Sequence, residues 1–407
     1  MGQTITQAVI LVGGRGTRLG PITDALPKPM VQVAGRPFLE YMLDELAAQG
    51  FTSILLLTGY RSEVITARYD NQSWKGATIR CVTETSPLGT GGALRNAADA
   101  LEDAFIMLNG DTLFDINLRA LCQQGFSYDG VATFALREVS GDRYSAVEWD
   151  GKYIHSMTAQ SGGLINGGIY LLRKKILEYI PQGVVSIEAE VFPKLAEQGI
   201  LCGIKFDAFF IDIGIPEALA EGQRTIPLQI MRPTLFFDRD GVLNLDRGYV
   251  HTREEFEWRD GAIAAIKALN DARWRVCVVT NQAGVARGYY TEADVHALHT
   301  WMNTDLAHHG AYIDAFYYCP HHPTEAAIPP YAKNCTCRKP APGMLLSAQQ
   351  DWAIDRERSL FIGDQPTDIA AATAAKIKAF HLKKEDNLLH IVAETLRYCP
   401  ETRGVYA

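Results

Sequence analysis

The chain has 407 residues, a formal net charge of −8 and 47% hydrophobic residues. That length suggests two or three domains of ordinary size, and the composition is that of a globular protein able to bury a core in each half. An acidic balance without a long basic run argues against nucleic acid as a partner and suits a cytoplasmic enzyme of anionic metabolites. No apolar run approaches the roughly 18 residues of a membrane span, and no basic segment precedes an apolar one at the N-terminus. Neither a signal peptide nor membrane association is expected. The start, MGQTIT, fits a myristoylation pattern, but from Gln3 the chain leads into a core strand, so no lipid is expected. Whether copies associate into a homo-oligomer is left open.

In chain order, short β-rich apolar runs alternate with helical patterns, which predicts an α/β fold of parallel sheets with crossover helices. QAVILVG begins the first series at Gln7, followed by the helical run FLEYMLDELAAQG, the strand SILLLTG, the helix GGALRNAADALED, and the strands DAFIMLNGD and GVATFAL. EALAEGQRTIPLQIMRP then reads as a helix end and an irregular stretch with two prolines. The pattern restarts with the strand TLFFDRDG at Thr234 and continues through AIAAIKALNDAR, RVCVVTNQ, DVHALHTWMNTDLAHHG and LFIGDQ. Two domains are therefore expected, residues 1–226 and 232–407, with a linker over about 227–231.

The loop LVGGRGTRLGPITDALPKPM (11–30) follows the first strand directly. Gly13, Gly14 and Gly16 let the backbone approach a phosphate with its N–H groups facing the anion. Arg15, Arg18 and Lys28 add positive charge, which a plain structural turn does not need. The loop, with Thr17 inside GGRGTRL, resembles that of the sugar-1-phosphate nucleotidyltransferases, and the resemblance continues over nearly all of residues 5–220. It implies an N-terminal Rossmann-like, GT-A-like domain. ETSPLGTGGAL, with Gly89 and Thr90, matches the family's base- and ribose-binding loop. LNGD brings the metal aspartate Asp111, and FDAFFIDIGIPEAL the second, Asp212. NGGIYLL, with Asn166 and Gly168, and SIEAEVFPKL, with Glu188, match sugar-contacting segments. In such an enzyme a sugar phosphate oxygen attacks the α-phosphorus of an NTP, so positioning and charge stabilisation dominate. By resemblance Asp111 and Asp212 hold Mg²⁺, Arg18 and the glycine loop hold the β/γ-phosphates, and Lys28 steadies the reacting phosphates. PITDALPKPMVQVAGRPFLEYMLDEL and FFIDIGIPEAL are most similar to guanylyltransferases of manno-configured sugars, especially heptose 1-phosphate. A uridylyl, cytidylyl or adenylyl enzyme remains open.

Four stations mark the second half: Asp238-x-Asp240, Thr280-Asn281, Arg338-Lys339, and Asp364 with Asp368. Each sits at a strand end or helix start, and parallel strands gather their carboxyl ends at one rim. Two carboxylates closing an apolar core strand are costly without a cation. The set resembles the haloacid dehalogenase superfamily of phosphatases. That resemblance makes Asp238 the nucleophile, Asp240 the acid and then base, and Thr280, Asn281, Arg338 and Lys339 the phosphate and sugar contacts. Asp238, Asp240 through its backbone carbonyl, and Asp364 are the Mg²⁺ ligands it implies. Gln365 departs from the lysine common at that position. The gaps between stations leave no room for a cap domain, so a capless, open Rossmannoid site is expected.

Of the eight cysteines, Cys81, Cys122, Cys202, Cys277 and Cys399 read as buried small hydrophobes in a reducing compartment. Cys319-x-His321 and Cys335-x-Cys337 make two chelating pairs separated by thirteen residues, with His322 spare. Four ligands with no open position suit a structural zinc. CPHHP…CxCRKP resembles the histidinol-phosphate and heptose-bisphosphate phosphatases, which selects Cys319, His321, Cys335 and Cys337 as the zinc loop. Together the halves imply a bifunctional enzyme of nucleotide-activated heptose synthesis using Mg²⁺ and Zn²⁺. Other NTPs, hexoses or histidinol phosphate, or one degenerate domain serving as a nucleotide-sugar sensor, stay as alternatives.

Overall fold

A computed structural model describes residues 4–140, 145–161 and 163–398. Gly2 and Gln3 of the myristoylation-like start, and Cys399, lie outside the described residues. The chain forms two compact units, Met1–Gln229 and Ile230–Ala407.

The first unit is built on β1 (Gln7–Leu11), β2 (Ser53–Thr58), β3 (Ser73–Trp74), β4 (Ala77–Thr83), β5 (Ala104–Asn109), β6 (Thr112–Phe114), β7 (Ala132–Val139), β8 (Ser145–Trp149), β9 (Ile154–Ser161), β10 (Gly163–Arg173), β11 (Leu201–Lys205) and β12 (Phe210–Asp212). A ten-stranded sheet runs β9-β8-β10-β5-β1-β2-β4-β3, with β7 pairing both β10 and β11. β1 lies parallel to β2 and β5, and β2 to β4, as the alternating pattern predicts. The other half departs from the all-parallel expectation. β10 is antiparallel to β5 and β7, and β8 is antiparallel to β9. The cause of the last pairing is a tight turn in place of a crossover helix. Gly151 takes φ +107 between β8 and β9, and Asp150 Oδ1 accepts the N–H groups of Lys152 and Tyr153 at 2.9 and 2.7 Å. A second small sheet pairs β12 with β6 and sets Asp212 opposite Thr112.

The stretch read as an irregular linker is largely helical. α1 (Pro216–Ile230) runs on through Pro227. An interior proline removes one hydrogen bond and bends a helix without having to end it, and buried Thr225 and Ile226 just before it keep the turn packed.

The second unit is a five-stranded, all-parallel sheet of β13 (Arg232–Phe237), β14 (Arg275–Asn281), β15 (Ala315–Cys319), β16 (Ile354–Gly363) and β17 (Lys378–His381), in the order β15-β14-β13-β16-β17. β13 is buried at every residue, as a central strand covered on both faces must be. Its carboxyl end carries Asp238, flanked by the ends of β14 and β16, so one rim receives Asp238, Thr280 and Asp364. Helices α2 (Ala262–Asp271) and α3 (Glu292–His308) are crossovers of the predicted kind. Among the described residues no helix is long and apolar enough to cross a membrane.

Candidate active sites

In the first unit a cavity of about 760 Å³ opens at the carboxyl ends of β1, β2 and β5 and is lined by Gly13, Gly14, Arg15, Lys28, Gly89, Thr90, Asp111 and Glu188, among others. Lys28 is buried, and its stem lies over the loop. A Cβ on Gly16, whose φ is +68, would come within 3.0 Å of the Lys28 Cβ. Lys28 Nζ pairs with Asp111 Oδ2. A Cβ on Gly214 would lie 2.7 Å from both Lys28 Nζ and Asp212 Oδ1, so Asp212 joins the same spot. The carboxylates of Asp111 and Asp212 offer hard oxygen donors of the kind that would suit Mg²⁺.

Gly89 has φ +71, and a Cβ there would meet the Val185 carbonyl at 2.5 Å. That close approach ties the loop of 84–90 to the Glu188 turn. Thr90 Oγ1 donates to Glu188 Oε2 at 2.5 Å, and Ser186 Oγ donates to the same oxygen at 3.2 Å. Asn166 spends its side chain within its own strand, donating to Tyr170 OH and accepting from Gly168 N, both at 2.9 Å. Gly168 lies beside the cavity residue Asn109.

Arg18 differs from the expectation. It is exposed on the 3₁₀ turn Thr17–Leu19, and the residues that line the cavity include Arg15 but not Gly16, Thr17 or Arg18. Spacing alone does not say that Arg15, itself exposed, edges the cavity while Arg18 does not. Asn109 and Glu84 also line the cavity, and sequence reasoning gave neither a role. Glu84 Oε2 accepts the Leu88 N–H at 3.0 Å.

In the second unit Lys339 is buried at the centre of the rim. Its Nζ lies 2.9 Å from Asp238 Oδ1 and 2.8 Å from Asp368 Oδ1, and donates to the Val279 carbonyl at 2.9 Å. Burial works to lower the Lys339 pKa, but Asp238 and Asp368 outweigh it and hold the ammonium charged. Burial pushes Asp238 up to about 7 against the pull of Lys339, with Asp368 adding to the rise. Asp364 is raised as well, again chiefly by burial. Carboxylate oxygens of Asp238, Asp364 and Asp368 lie within 4.8 Å of one another. Three carboxylates against one ammonium leave a deficit of positive charge, and Asp364 Oδ1 is buried without a hydrogen-bond partner. These residues fit a divalent cation. Asp368, to which the motif reading assigned no role, is part of that set.

The Asp240 side chain is not in this cluster; its expected contribution to the metal is the backbone carbonyl. Its carboxylate is held by buried Arg239 through Nη2, 2.9 Å from each oxygen, by Asn244 Nδ2 at 3.1 Å, and by Gln282 Nε2 at 3.0 Å. Asn281 differs from a plain substrate contact. Its side chain accepts from Lys339 N and donates to Lys339 O, both at 3.1 Å, so it clamps the backbone that presents Lys339.

Beside the rim, Cys319, His321, Cys335 and Cys337 bring four ligand atoms within 4.8 Å of one another. The Sγ–Sγ distances are 3.5, 3.3 and 3.2 Å, and His321 Nδ1 lies 3.6 and 3.3 Å from Cys319 and Cys337. These are far too long for disulfides and close to the edge of about 3.8 Å expected for a tetrahedron with Zn–S bonds of about 2.3 Å. His322 points elsewhere, accepting the Glu325 N–H at 2.9 Å. Burial pushes the Cys319 thiol up, so a cation is what would favour its thiolate. Arg338 is tied to the loop by N–H to Cys335 Sγ at 3.4 Å and by Nη1 to the His321 carbonyl at 3.3 Å. Of the other cysteines, Cys122, Cys202 and Cys277 are buried as expected, while Cys81 is only partly so.

Residues 7–228 match the nucleotidyl transferase family, and residues 336–387 match the HAD-hydrolase-like family. The chain is 48% identical over 155 residues to a D-glycero-β-D-manno-heptose-1,7-bisphosphate 7-phosphatase of Rhodopseudomonas palustris, covering 38% of this chain and 86% of that protein. Among solved structures, HddC of Yersinia pseudotuberculosis is 34% identical over 55% of this chain and all of its own, with a TM-score of 0.49. A structure from Bacillus anthracis named for glucose-1-phosphate thymidylyltransferase is 21% identical over 54% of this chain and 94% of its own, with a TM-score of 0.50, a likeness of fold.

Proposed function

Because the chain belongs to the nucleotidyl transferase family over residues 7–228 and joins to it a HAD-type domain of the heptose bisphosphate phosphatase family, making it a bifunctional transferase and phosphatase of heptose metabolism, we propose the following substrates and order. The second unit removes the 7-phosphate of D-glycero-D-manno-heptose 1,7-bisphosphate. The first unit then transfers GMP from GTP to D-glycero-α-D-manno-heptose 1-phosphate, releasing pyrophosphate and forming GDP-heptose. Both steps run in the cytoplasm.

In the phosphatase step Asp238 attacks the phosphorus and the bond to the C7 oxygen breaks. Asp240 gives that oxygen its proton, then takes one from the water that cleaves the aspartyl phosphate. Lys339, Thr280 and Arg338 hold the phosphoryl and sugar groups. When bound by Asp238, Asp364 and the Asp240 carbonyl, Mg²⁺ supplies the charge that lets a carboxylate approach a phosphate dianion. Zinc on Cys319, His321, Cys335 and Cys337 stiffens the loop that carries Arg338 and Lys339. In the transfer step the 1-phosphate oxygen attacks the α-phosphorus, with Lys28 and Arg15 countering the phosphate charge and Asp111 and Asp212 as the Mg²⁺ ligands. Arg18 would enter only if the loop closes on the nucleotide.

The observation that carries this reading is the pairing of the two sites in one chain. One product of the phosphatase, a sugar 1-phosphate, is the substrate type of the other site. Guanine is supported by the sequence resemblance and by the Glu84 carboxylate on the cavity wall, an acceptor suited to the adjacent N1–H and N2–H₂ donors of guanine. The anomer follows from chemistry. Cleavage at C7 leaves C1 untouched, so the phosphatase must accept the α form if the transferase consumes it. The relative's name carries the β form, so both anomers belong in the test. Purified protein with Mg²⁺ is given each anomer and each of the four NTPs. Phosphate from the α-bisphosphate and a nucleotide sugar with GTP are expected. Preference for the β anomer, or for another NTP, would overturn the substrate assignment while leaving the two reaction types standing.

A further inference from the structure

Gln282 follows the end of β14 and is 1% exposed. Neither the sequence motifs nor the proposed chemistry use its side chain. Yet its amide touches two of the reacting groups. Nε2 donates to Asp240 Oδ2 at 3.0 Å and to Thr280 Oγ1 at 2.9 Å. Oε1 accepts the Tyr290 O–H at 2.6 Å. The reverse orientation would set Oε1 against the Asp240 carboxylate, so the amide has one way to sit.

Tyr290 is fixed in turn. Its ring stacks on His251 with centroids 4.7 Å apart and planes 10° from parallel. On its other flank it fills the space where Gly284 lacks a Cβ, which would lie 2.1 Å from the ring. Burial pushes the Tyr290 hydroxyl up to about 12, so it stays a donor across the working range. The Gln282 backbone N–H donates to the carbonyl of the zinc-loop residue Cys319 at 2.8 Å.

The other donors to Asp240, Arg239 and Asn244, belong to the same loop as Asp240. Among the described residues Gln282 is the donor that comes from another strand. It also occupies a lone pair of Thr280 Oγ1, which leaves the Thr280 proton free to face a phosphoryl oxygen.

We propose that Gln282, with its amide fixed by Tyr290, is a positioning residue that holds the acid–base carboxyl of Asp240 in register with the phosphate site for hydrolysis of alkyl phosphate esters. This rests on the acid–base reading of Asp240. An ester of a sugar alcohol needs its leaving oxygen protonated, whereas acetyl phosphate releases acetate, which does not. Both substrates then share the cleavage of the aspartyl phosphate, where Asp240 is the base, so loss of register is read in the first half-reaction: it slows release of the sugar alcohol and spares release of acetate.

The experiment compares Gln282→Leu, Tyr290→Phe and Asp240→Asn in the full-length Mg²⁺- and Zn²⁺-loaded protein. Substrates are heptose 1,7-bisphosphate and acetyl phosphate, and inorganic phosphate is the competing ligand. In single-turnover measurements Gln282→Leu is expected to slow release of heptose 1-phosphate about 10–100-fold, and Tyr290→Phe about 3–10-fold, as fractions of a full general-acid effect of about 10²–10⁴. KM and the inhibition constant of phosphate stay within about 2-fold, and single-turnover release of acetate from acetyl phosphate within about 3-fold. Tyr290→Phe keeps the ring and its packing, so it decides the matter if Gln282→Leu fails to fold. Equal loss on both substrates, a rise in KM carrying the effect, or no loss would overturn the proposal. Asp240→Asn separates the two failures. If it too lacks selectivity for the heptose ester, the acid–base reading falls. If it is selective and the other two variants are not, only the role of Gln282 falls.

Discussion

Lys339→Met removes one positive charge from the centre of the phosphatase rim while keeping the length of the side chain. In the protein Nζ lies 2.9 Å from Asp238 Oδ1 and 2.8 Å from Asp368 Oδ1, and bonds the Val279 carbonyl. All of these groups are buried, so water does not replace the lost partner. Breaking a buried pair in this way costs about 3–5 kcal/mol. At about 2–4 °C per kcal/mol for a unit of this size, the melting temperature should fall by roughly 6–20 °C in metal-free protein. Added Mg²⁺ should narrow the gap, because a divalent ion supplies the positive charge that methionine lacks. Phosphatase kcat should fall about 10²–10³-fold, the usual cost of removing one charge-stabilising donor. Differential scanning calorimetry with and without Mg²⁺ reads the first effect and phosphate release the second. Pyrophosphate release from the same sample is the internal control and should not change. A variant melting within about 2 °C of the parent in metal-free buffer would refute the account. It would mean that Asp238 and Asp368 do not depend on Lys339 for their charge balance.

Asp238→Asn should abolish phosphate release and leave nucleotidyl transfer intact, and Asp111→Asn the reverse, both scored by coupled assays for phosphate and pyrophosphate. Cys335→Ser removes one of four ligand atoms, so zinc content by mass spectrometry should drop and phosphatase activity fall at least about 10-fold, while nucleotidyl transfer stays within about 2-fold. Gly89→Ala places a Cβ 2.5 Å from the Val185 carbonyl at φ +71, so kcat/KM for nucleotidyl transfer should fall about 10-fold or more, about 1.4 kcal/mol of lost transition-state stabilisation, with phosphatase rates unchanged.

Much of the second unit could be read from its residues because its chemistry sits on strand ends. An apolar run ending in Asp238 or Thr280 is both a strand and a rim position, so one pattern yields fold and site together. The gathering of Cys319, His321, Cys335 and Cys337 was equally legible, since chelation imposes its own spacing. In the first unit the reading failed where local cues were weaker than tertiary pairing. The antiparallel half of the sheet depends on which strand finds which edge, and only Asp150-Gly151 hinted at its hairpin. Pro227 looked like a break but lies inside a helix whose neighbours are buried. Side-chain direction was the other gap. Nothing in GGRGTRL says that Arg15 and not Arg18 lines the cavity, or that Asn281 is spent on the Lys339 backbone. The contacts of Gln282 join residues far apart in sequence through a buried tyrosine, and no periodicity records them.

The most direct test follows both reactions in one tube by ³¹P NMR, with α-heptose 1,7-bisphosphate, GTP and Mg²⁺. The account predicts that the 7-phosphate resonance decays with a matching rise of inorganic phosphate, heptose 1-phosphate passes through a maximum, and pyrophosphate appears with the diphosphate signals of GDP-heptose. In Asp111→Asn the series should stop at heptose 1-phosphate. Persistence of the 7-phosphate signal together with unconsumed GTP would contradict the claim that this chain carries both steps.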